Sequence, residues 1–388
     1  MKRAILHIGT EKTGTTSIQN FLYANRINLS ASGILFSETA GYLSNQNLVV
    51  YAKKAPEPDL APQELDVSDS SDLALWKDQF AVKHSAEVVA FQQRHTDSTV
   101  VYSAEHLQSR LTTVGEIKRA ARLLRPMFDE IEVLVYLRRQ DKYALSAHST
   151  AVRAGEKNDF AFETVNAEGP YYNYRELLQN WSDVFGEDAI RVRLFEKPRL
   201  VDHDVVADFK NITGIDKLNI DLVFPSAVNE ALSRTALGLL RRFNELQADD
   251  ACLQGKSKQQ IRGGLLEAVE GIEDDFGRVL PVRSSAIAFY ERFVADNQWI
   301  ADRWLEGQGF DNNFSEYPLE KIELPAIENL DSQLEVLIAG LFPSNQPTAN
   351  FEAVRSQKNS ESPATAAPAA GYARRLVHAI KHQYSKVS

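Results

Sequence analysis

No stretch constrains the fold of this chain more than residues 4–22. An apolar run, Ala4-Ile5-Leu6-His7-Ile8, breaks into Gly9-Thr10-Glu11-Lys12-Thr13-Gly14-Thr15-Thr16-Ser17 and then into Ile18-Gln19-Asn20-Phe21-Leu22. The pattern predicts a strand, a glycine-containing loop and a helix. Gly9 and Gly14 are positions where the backbone can turn sharply or approach a ligand with no Cβ in the way. Thr15, Thr16 and Ser17 stand where helix caps belong, and Ile18, Phe21 and Leu22 form the i, i+3, i+4 stripe of a helix packed on a sheet. The first N–H groups of such a helix face the loop and carry partial positive charge, so a phosphate or similar anion is their natural ligand.

The Gly-x-x-x-x-Gly spacing also opens a nucleotide P-loop, but Thr15 occupies the place of the lysine that follows the second glycine there. The lysine comes earlier, at Lys12. In phosphoryl transfer the later lysine and a Mg²⁺ together offset the charge of a triphosphate, whereas a loop with Lys12 inside it suits a less highly charged group. The run Lys12-Thr13-Gly14-Thr15-Thr16-Ser17 after an N-terminal strand resembles the loop with which sulfotransferases hold the 5′-phosphosulfate of 3′-phosphoadenylyl sulfate (PAPS). The simpler alternative is an ordinary strand-to-helix turn with a solvated lysine.

Further strands follow. Gly33 to Phe36 reads as a short one, and residues 37–72, with Pro56, Pro58 and Pro62 and an acidic, serine-rich end, as a long surface loop. A helix is expected from Leu73 to Arg94. Thr99 to Tyr102 has the β-branched and aromatic character of a buried parallel strand and ends at Glu105 and His106. The carboxyl ends of parallel strands form the ligand crevice, so both residues are candidates for chemistry. A helix from Val114 to Leu124, stopped at Pro126, leads to the strand Ile131 to Leu137, which runs into Arg138-Arg139. Arg138 at the strand end offers a planar donor fork, and Ser146, eight positions on, a hydroxyl. The pair resembles the sulfotransferase motif that binds the 3′-phosphate of PAPS. A helix from Tyr174 to Gly186, a strand from Ile190 to Glu196 and a helix near Phe209 extend the resemblance to about Asn244.

The expected fold is α/β, a mostly parallel central sheet flanked by helices, with a helical C-terminal elaboration that includes one helix from Ser284 to Leu305 and another near residues 330–342. The expected domain spans residues 1–343. Residues 344–388 read as a linker followed by a basic amphipathic tail, either solvated or in weak contact with an anionic membrane or a protein. With a net charge of −10 the chain is no general nucleic-acid binder. Cys252 is the only cysteine and the histidines lack zinc-site spacing, so no metal is expected. Without a signal-peptide core, the expected location is cytoplasmic.

The resemblance implies transfer of a sulfuryl group from PAPS to a hydroxyl or amine, with a carbohydrate as the acceptor. It implies donor binding by Lys12, Thr13, Gly14, Thr15, Thr16, Ser17, Arg138 and Ser146, and charge stabilisation by Lys12. It also implies a base at Glu105 or His106, with Glu105 preferred because carbohydrate-acting members use glutamate. A P-loop kinase and a non-catalytic nucleotide-binding protein are the alternatives.

Overall fold

The computed structural model describes residues 1–55, 60, 70–225, 232–246, 258–270, 272, 280–321 and 330–341. The elements in order are β1 (Lys2–His7), α1 (Thr15–Ala24), α2 (Arg26–Ala31), β2 (Ile34–Phe36), α3 (Asn47–Ala52), α4 (Ser70–Arg94), β3 (Ser98–Ser103), α5 (His106–Arg110), α6 (Val114–Leu124) and β4 (Glu130–Leu137). Then come α7 (Gln140–Ala154), α8 (Tyr174–Phe185), β5 (Ile190–Leu194), α9 (Val205–Thr213), α10 (Arg234–Leu246), α11 (Lys258–Glu270), α12 (Arg283–Glu291), α13 (Val294–Trp304) and α14 (Leu330–Leu341).

The described chain divides into two compact units interleaved in sequence. The first comprises residues 1–144, 162–228 and 286–314 and contains the whole sheet. All four strand pairings are parallel, in the order β2-β3-β1-β4-β5. The chain lays β2 and β3 on one side of β1 and then crosses to β4 on the other, so the sequence order reverses around β1. In open parallel sheets ligands bind at such a reversal, outside the carboxyl ends of the strands.

Strand side chains alternate between faces, and here both faces are covered. Ala4, Leu6, Ile8, Val133, Val135 and Leu137 join one apolar cluster with residues of α3, α4, α6 and α8. Ile5, Leu134, Tyr136, Val101 and Phe36 join the other with Ile18, Phe21 and Leu22 of α1 and Phe209 of α9. α6 is held at its start by a capping box between Thr113 and Glu116. The second unit, residues 145–161, 229–285 and 315–388, has Val152 of α7, Leu239 and Phe243 of α10, Leu265 of α11 and Leu334 and Leu337 of α14 in one apolar cluster.

Two expectations need correction. Residues 37–55 are not a surface excursion: Ser37 and Asn45 are buried, and α3 buries Leu48, Val49, Val50 and Ala52. The reason is polar as much as apolar. Asn45 closes over the end of β3, its Oδ1 accepting from Ser103 N at 2.8 Å and its own N–H donating to Ser103 O at 2.9 Å. Secondly, the helix expected from Ser284 to Leu305 is two, α12 and α13, separated at Arg292-Phe293. The break sets Phe289 and Phe293 edge to face, 5.2 Å between centroids, with both rings on Tyr172. α4 begins at Ser70, before the expected Leu73, and β5 ends at Leu194. Residues 56–59 and 61–69 of the expected loop, Cys252 and the tail 344–388 lie outside the described residues. Among the described residues no helix is long and apolar enough to cross a membrane.

Candidate active site

Three neighbouring strand ends, those of β3, β1 and β4, bring the sequence candidates of the first unit together. The loop after β1 is fixed from beneath. Thr10 N donates to Tyr136 O at 2.9 Å, Thr10 Oγ1 to the same carbonyl at 3.0 Å, and the hydroxyls of Thr13 and Thr15 both donate to Thr10 O, at 2.6 and 3.1 Å. Thr13 and Thr15 are thus buried supports that shape the loop through their hydroxyls. Lys12 adopts φ 63° and Gly14 φ 78°, and a Cβ at Gly14 would stand 2.8 Å from Val205 Cγ1. Glycine is required there for conformation and for space. Gly14 opens α1 with no side-chain cap, which leaves an amide-rich helix start beside Thr15 and Thr16.

Arg138, at the end of β4, donates from Nη1 to Lys12 O at 2.8 Å and lies 5.6 Å from the Phe195 ring centroid. Its own carbonyl accepts from Tyr174 Oη at 2.7 Å. Arg139 is a different kind of residue. It is fully buried, forks onto Asp141 at 2.7 and 2.8 Å, and donates to the carbonyls of Asp311 and Asn313 at 2.6 and 2.9 Å. Of the adjacent arginines, Arg138 donates to the loop and Arg139 to the backbone of residues 311 and 313. Ser146, on α7, falls in the second unit.

Glu105 stands at the start of α5, immediately after β3. A Cβ on Gly9 would lie 3.1 Å from Glu105 Cα, so the two strand ends touch at the glycine. The Glu105 carboxylate accepts from Gln19 Nε2 at 2.8 Å. His106 is the first residue of α5, and its Nδ1 is buried without a hydrogen-bond partner.

Three contributors were not foreseen. Gln19 projects from α1 to Glu105, and the signal for it was a buried amide among Ile18, Phe21 and Leu22. Tyr174 holds the Arg138 carbonyl, and nothing in the sequence points to that. His7, the last residue of β1, is fully buried, with Nδ1 2.8 Å from Ser103 Oγ and its ring edge-on to Tyr136 and Phe209 at 5.7 and 5.6 Å. Burial pushes its pKa down to about 3, against an opposing hydrogen bond with the Gly9 backbone, so the imidazole is neutral. Burial and the nearby Glu11 carboxylate hold the Tyr143 phenol far above its ordinary pKa. Among the described residues no three His, Cys, Asp or Glu side chains converge as a metal site does.

No protein-family model matches this chain. An uncharacterised protein of Archaeoglobus fulgidus is 27% identical over 167 residues, a match spanning 43% of this chain and 44% of the length of that relative. Two solved structures resemble this chain at low similarity. A sulfotransferase from Alicyclobacillus acidocaldarius is 17% identical, with a TM-score of 0.35, over 70% of this chain and 97% of that one. The sulfotransferase domain of a Synechococcus olefin synthase is 13% identical, with a TM-score of 0.29, over 76% of this chain and 94% of that one.

Proposed function

We propose that this chain transfers a sulfuryl group from PAPS to a hydroxyl or amine of a carbohydrate acceptor. One observation carries the reading: the anion-suited loop lies between a carboxylate and an arginine on adjacent strand ends. Gly9 abuts Glu105 on one side, and Arg138 donates to Lys12 O on the other. The sequence resemblance of the two anion motifs supplies the chemistry that fits this arrangement.

In the proposed reaction the loop amides and the start of α1 receive the 5′-phosphosulfate, and Arg138 receives the 3′-phosphate. Glu105, oriented by Gln19, takes the acceptor proton. The acceptor oxygen bonds to sulfur as the bond from sulfur to the phosphate oxygen breaks, leaving adenosine 3′,5′-bisphosphate. Lys12 stabilises the charge that gathers on the bridging oxygen. Positioning and charge stabilisation carry most of the catalysis, as in the loose transition states of phosphoryl transfer. The proposal keeps the cytoplasmic location and metal-independent reaction expected from the sequence.

Calorimetric titration of the full chain with adenosine 3′,5′-bisphosphate and with ATP tests the reading. Binding of the bisphosphate at least about tenfold tighter than ATP is expected, a difference of roughly 1.4 kcal/mol. The reverse preference refutes the proposal in favour of a kinase.

A further inference from the structure

A cavity of about 300 Å³ opens beside α5, bounded by the connection from α5 to α6, by residues 168–170 and by the first turns of α8. Gln108, Leu111, Glu168, Pro170, Glu176 and Leu177 are among its walls. Gln108 lies one turn along α5 from Glu105, its N–H donating to Glu105 O at 3.1 Å. Residues three apart share a helix face, with Cβ atoms roughly 5–6 Å apart. The cavity therefore begins one helical turn from the proposed base.

Its charged lining is of one sign. The side-chain amide donors are engaged within the wall: Gln108 Nε2 donates to Pro170 O at 3.0 Å, Asn173 Nδ2 to Glu176 Oε2 at 2.8 Å, and Asn180 Nδ2 to Thr112 O at 3.1 Å. Beyond those bonds the wall offers the Thr112 hydroxyl and, as acceptors, an amide oxygen and two carboxylates. Gln108 is 1% exposed and its Oε1 has no hydrogen-bond partner. The carboxylates of Glu168 and Glu176 add negative charge, and among the described residues no lysine, arginine or histidine lines the cavity. Arg292 reaches Glu168 at 3.4 Å from outside, with both side chains exposed. A buried acceptor left without a donor is costly, so a ligand that brings one is favoured. Leu111, Leu177 and Pro170 supply apolar surface for the C–H face of a ring.

We propose that this cavity is the acceptor subsite and that it takes an amino sugar, a polyhydroxylated ring carrying a protonated amine. Hydroxyl and ammonium donors meet Gln108 Oε1 and the two carboxylates, and the same wall repels a uronate or a phosphorylated sugar. As an acceptor subsite it rests on the sulfuryl-transfer reading, but its ligand chemistry is set by the lining alone.

The test is calorimetric or saturation-transfer titration of the full chain with glucosamine, N-acetylglucosamine and glucuronate. Glucosamine is expected to bind, N-acetylglucosamine about tenfold more weakly, and glucuronate not at all. Gln108→Leu and Glu176→Gln should each weaken glucosamine about tenfold and leave adenosine 3′,5′-bisphosphate binding unchanged. Glu168→Gln, at a largely exposed position, should weaken it in the same sense. Absence of glucosamine binding, glucuronate binding of equal strength, or indifference to all three substitutions overturns the proposal. If the bisphosphate fails to bind while glucosamine still binds in a substitution-sensitive way, the sulfuryl-transfer reading falls and the amino-sugar site stands. If the bisphosphate binds and glucosamine does not, the subsite falls alone.

Discussion

His7 makes the first unit acid-sensitive over a pH range that can be worked out in advance. Its imidazole is fully buried between Tyr136 and Phe209, with a pKa lowered to about 3 from 6.5. Below pH 6.5 the unfolded chain takes up a proton that the folded chain refuses, so the neutral folded form loses stability as pH falls from 6.5 toward 3. Each pH unit in that window is worth about 1.4 kcal/mol, so a drop from about pH 7.5 to about pH 5 costs about 2 kcal/mol. Glu87 acts in a separate window. Despite partial desolvation, hydrogen bonds from its His84, Ser37 and Thr39 neighbours and from Glu38 N lower its carboxyl to about 2, so its contribution is lost only as pH falls below 4.5. The assay is urea unfolding at the two pH values, followed by tryptophan fluorescence. All four tryptophans, Trp76, Trp181, Trp299 and Trp304, lie in the first unit and report on it. His7→Asn removes the titrating ring, and comparing the variant with the parent cancels the groups they share. The parent should lose about 2 kcal/mol more than the variant between the two pH values. Slopes that agree within about 0.5 kcal/mol would show that His7 does not titrate as its burial requires.

Lys12→Ala should lower kcat about a hundredfold or more and largely spare adenosine 3′,5′-bisphosphate affinity, because the loop amides keep the phosphate while the bridging oxygen loses its cation. A rate within a few-fold of the parent removes Lys12 from the chemistry. Glu105→Gln retains an oxygen for Gln19 and abolishes proton uptake, so kcat should fall roughly a hundredfold while His106→Asn stays mild. The opposite order in steady-state kinetics moves the base to His106. Gly14→Ala adds a Cβ 2.8 Å from Val205 Cγ1 at a left-handed position, and the strain and overpacking together should cost about 2–4 kcal/mol in urea unfolding. A loss below about 0.5 kcal/mol would mean that α9 yields freely at Val205.

The strands and the glycine-bounded loop after β1 were legible because local chemistry dictates them. Runs such as Ile131 to Leu137 admit little but a buried parallel strand, and Gly14 marks a position whose left-handed φ few other residues tolerate. The placement of Glu105 and Arg138 at neighbouring strand ends was legible for the same reason. What escaped depends on distant partners. Prolines and acidic serine-rich sequence made residues 37–72 read as surface, yet Asn45 satisfies the end of a strand 58 residues away. The continuous helical stripe of residues 284–305 concealed a break that only the Tyr172 ring, far upstream, makes favourable. Arg138 and Arg139 are alike in sequence, and the second was claimed by carbonyls more than 170 positions on.

That last grip bears on how the chain folds as it leaves the ribosome. Arg139 and Asp141, both with no solvent exposure, form a pair completed by the backbone of residues 311 and 313 and roofed by the Phe314 ring, 4.1 Å from the guanidinium. Until those residues emerge from the exit tunnel, a nascent chain that has already laid down all five strands lacks the carbonyls and the ring that this desolvated charge requires. Docking of α13 waits for the same interval, because Asn297 exchanges two hydrogen bonds with Gln140, the neighbour of Arg139. Stalled chains ending before residue 311 should therefore carry a protease-sensitive β4–α7 junction, and chains long enough to bring residues 311–314 out of the tunnel should close it.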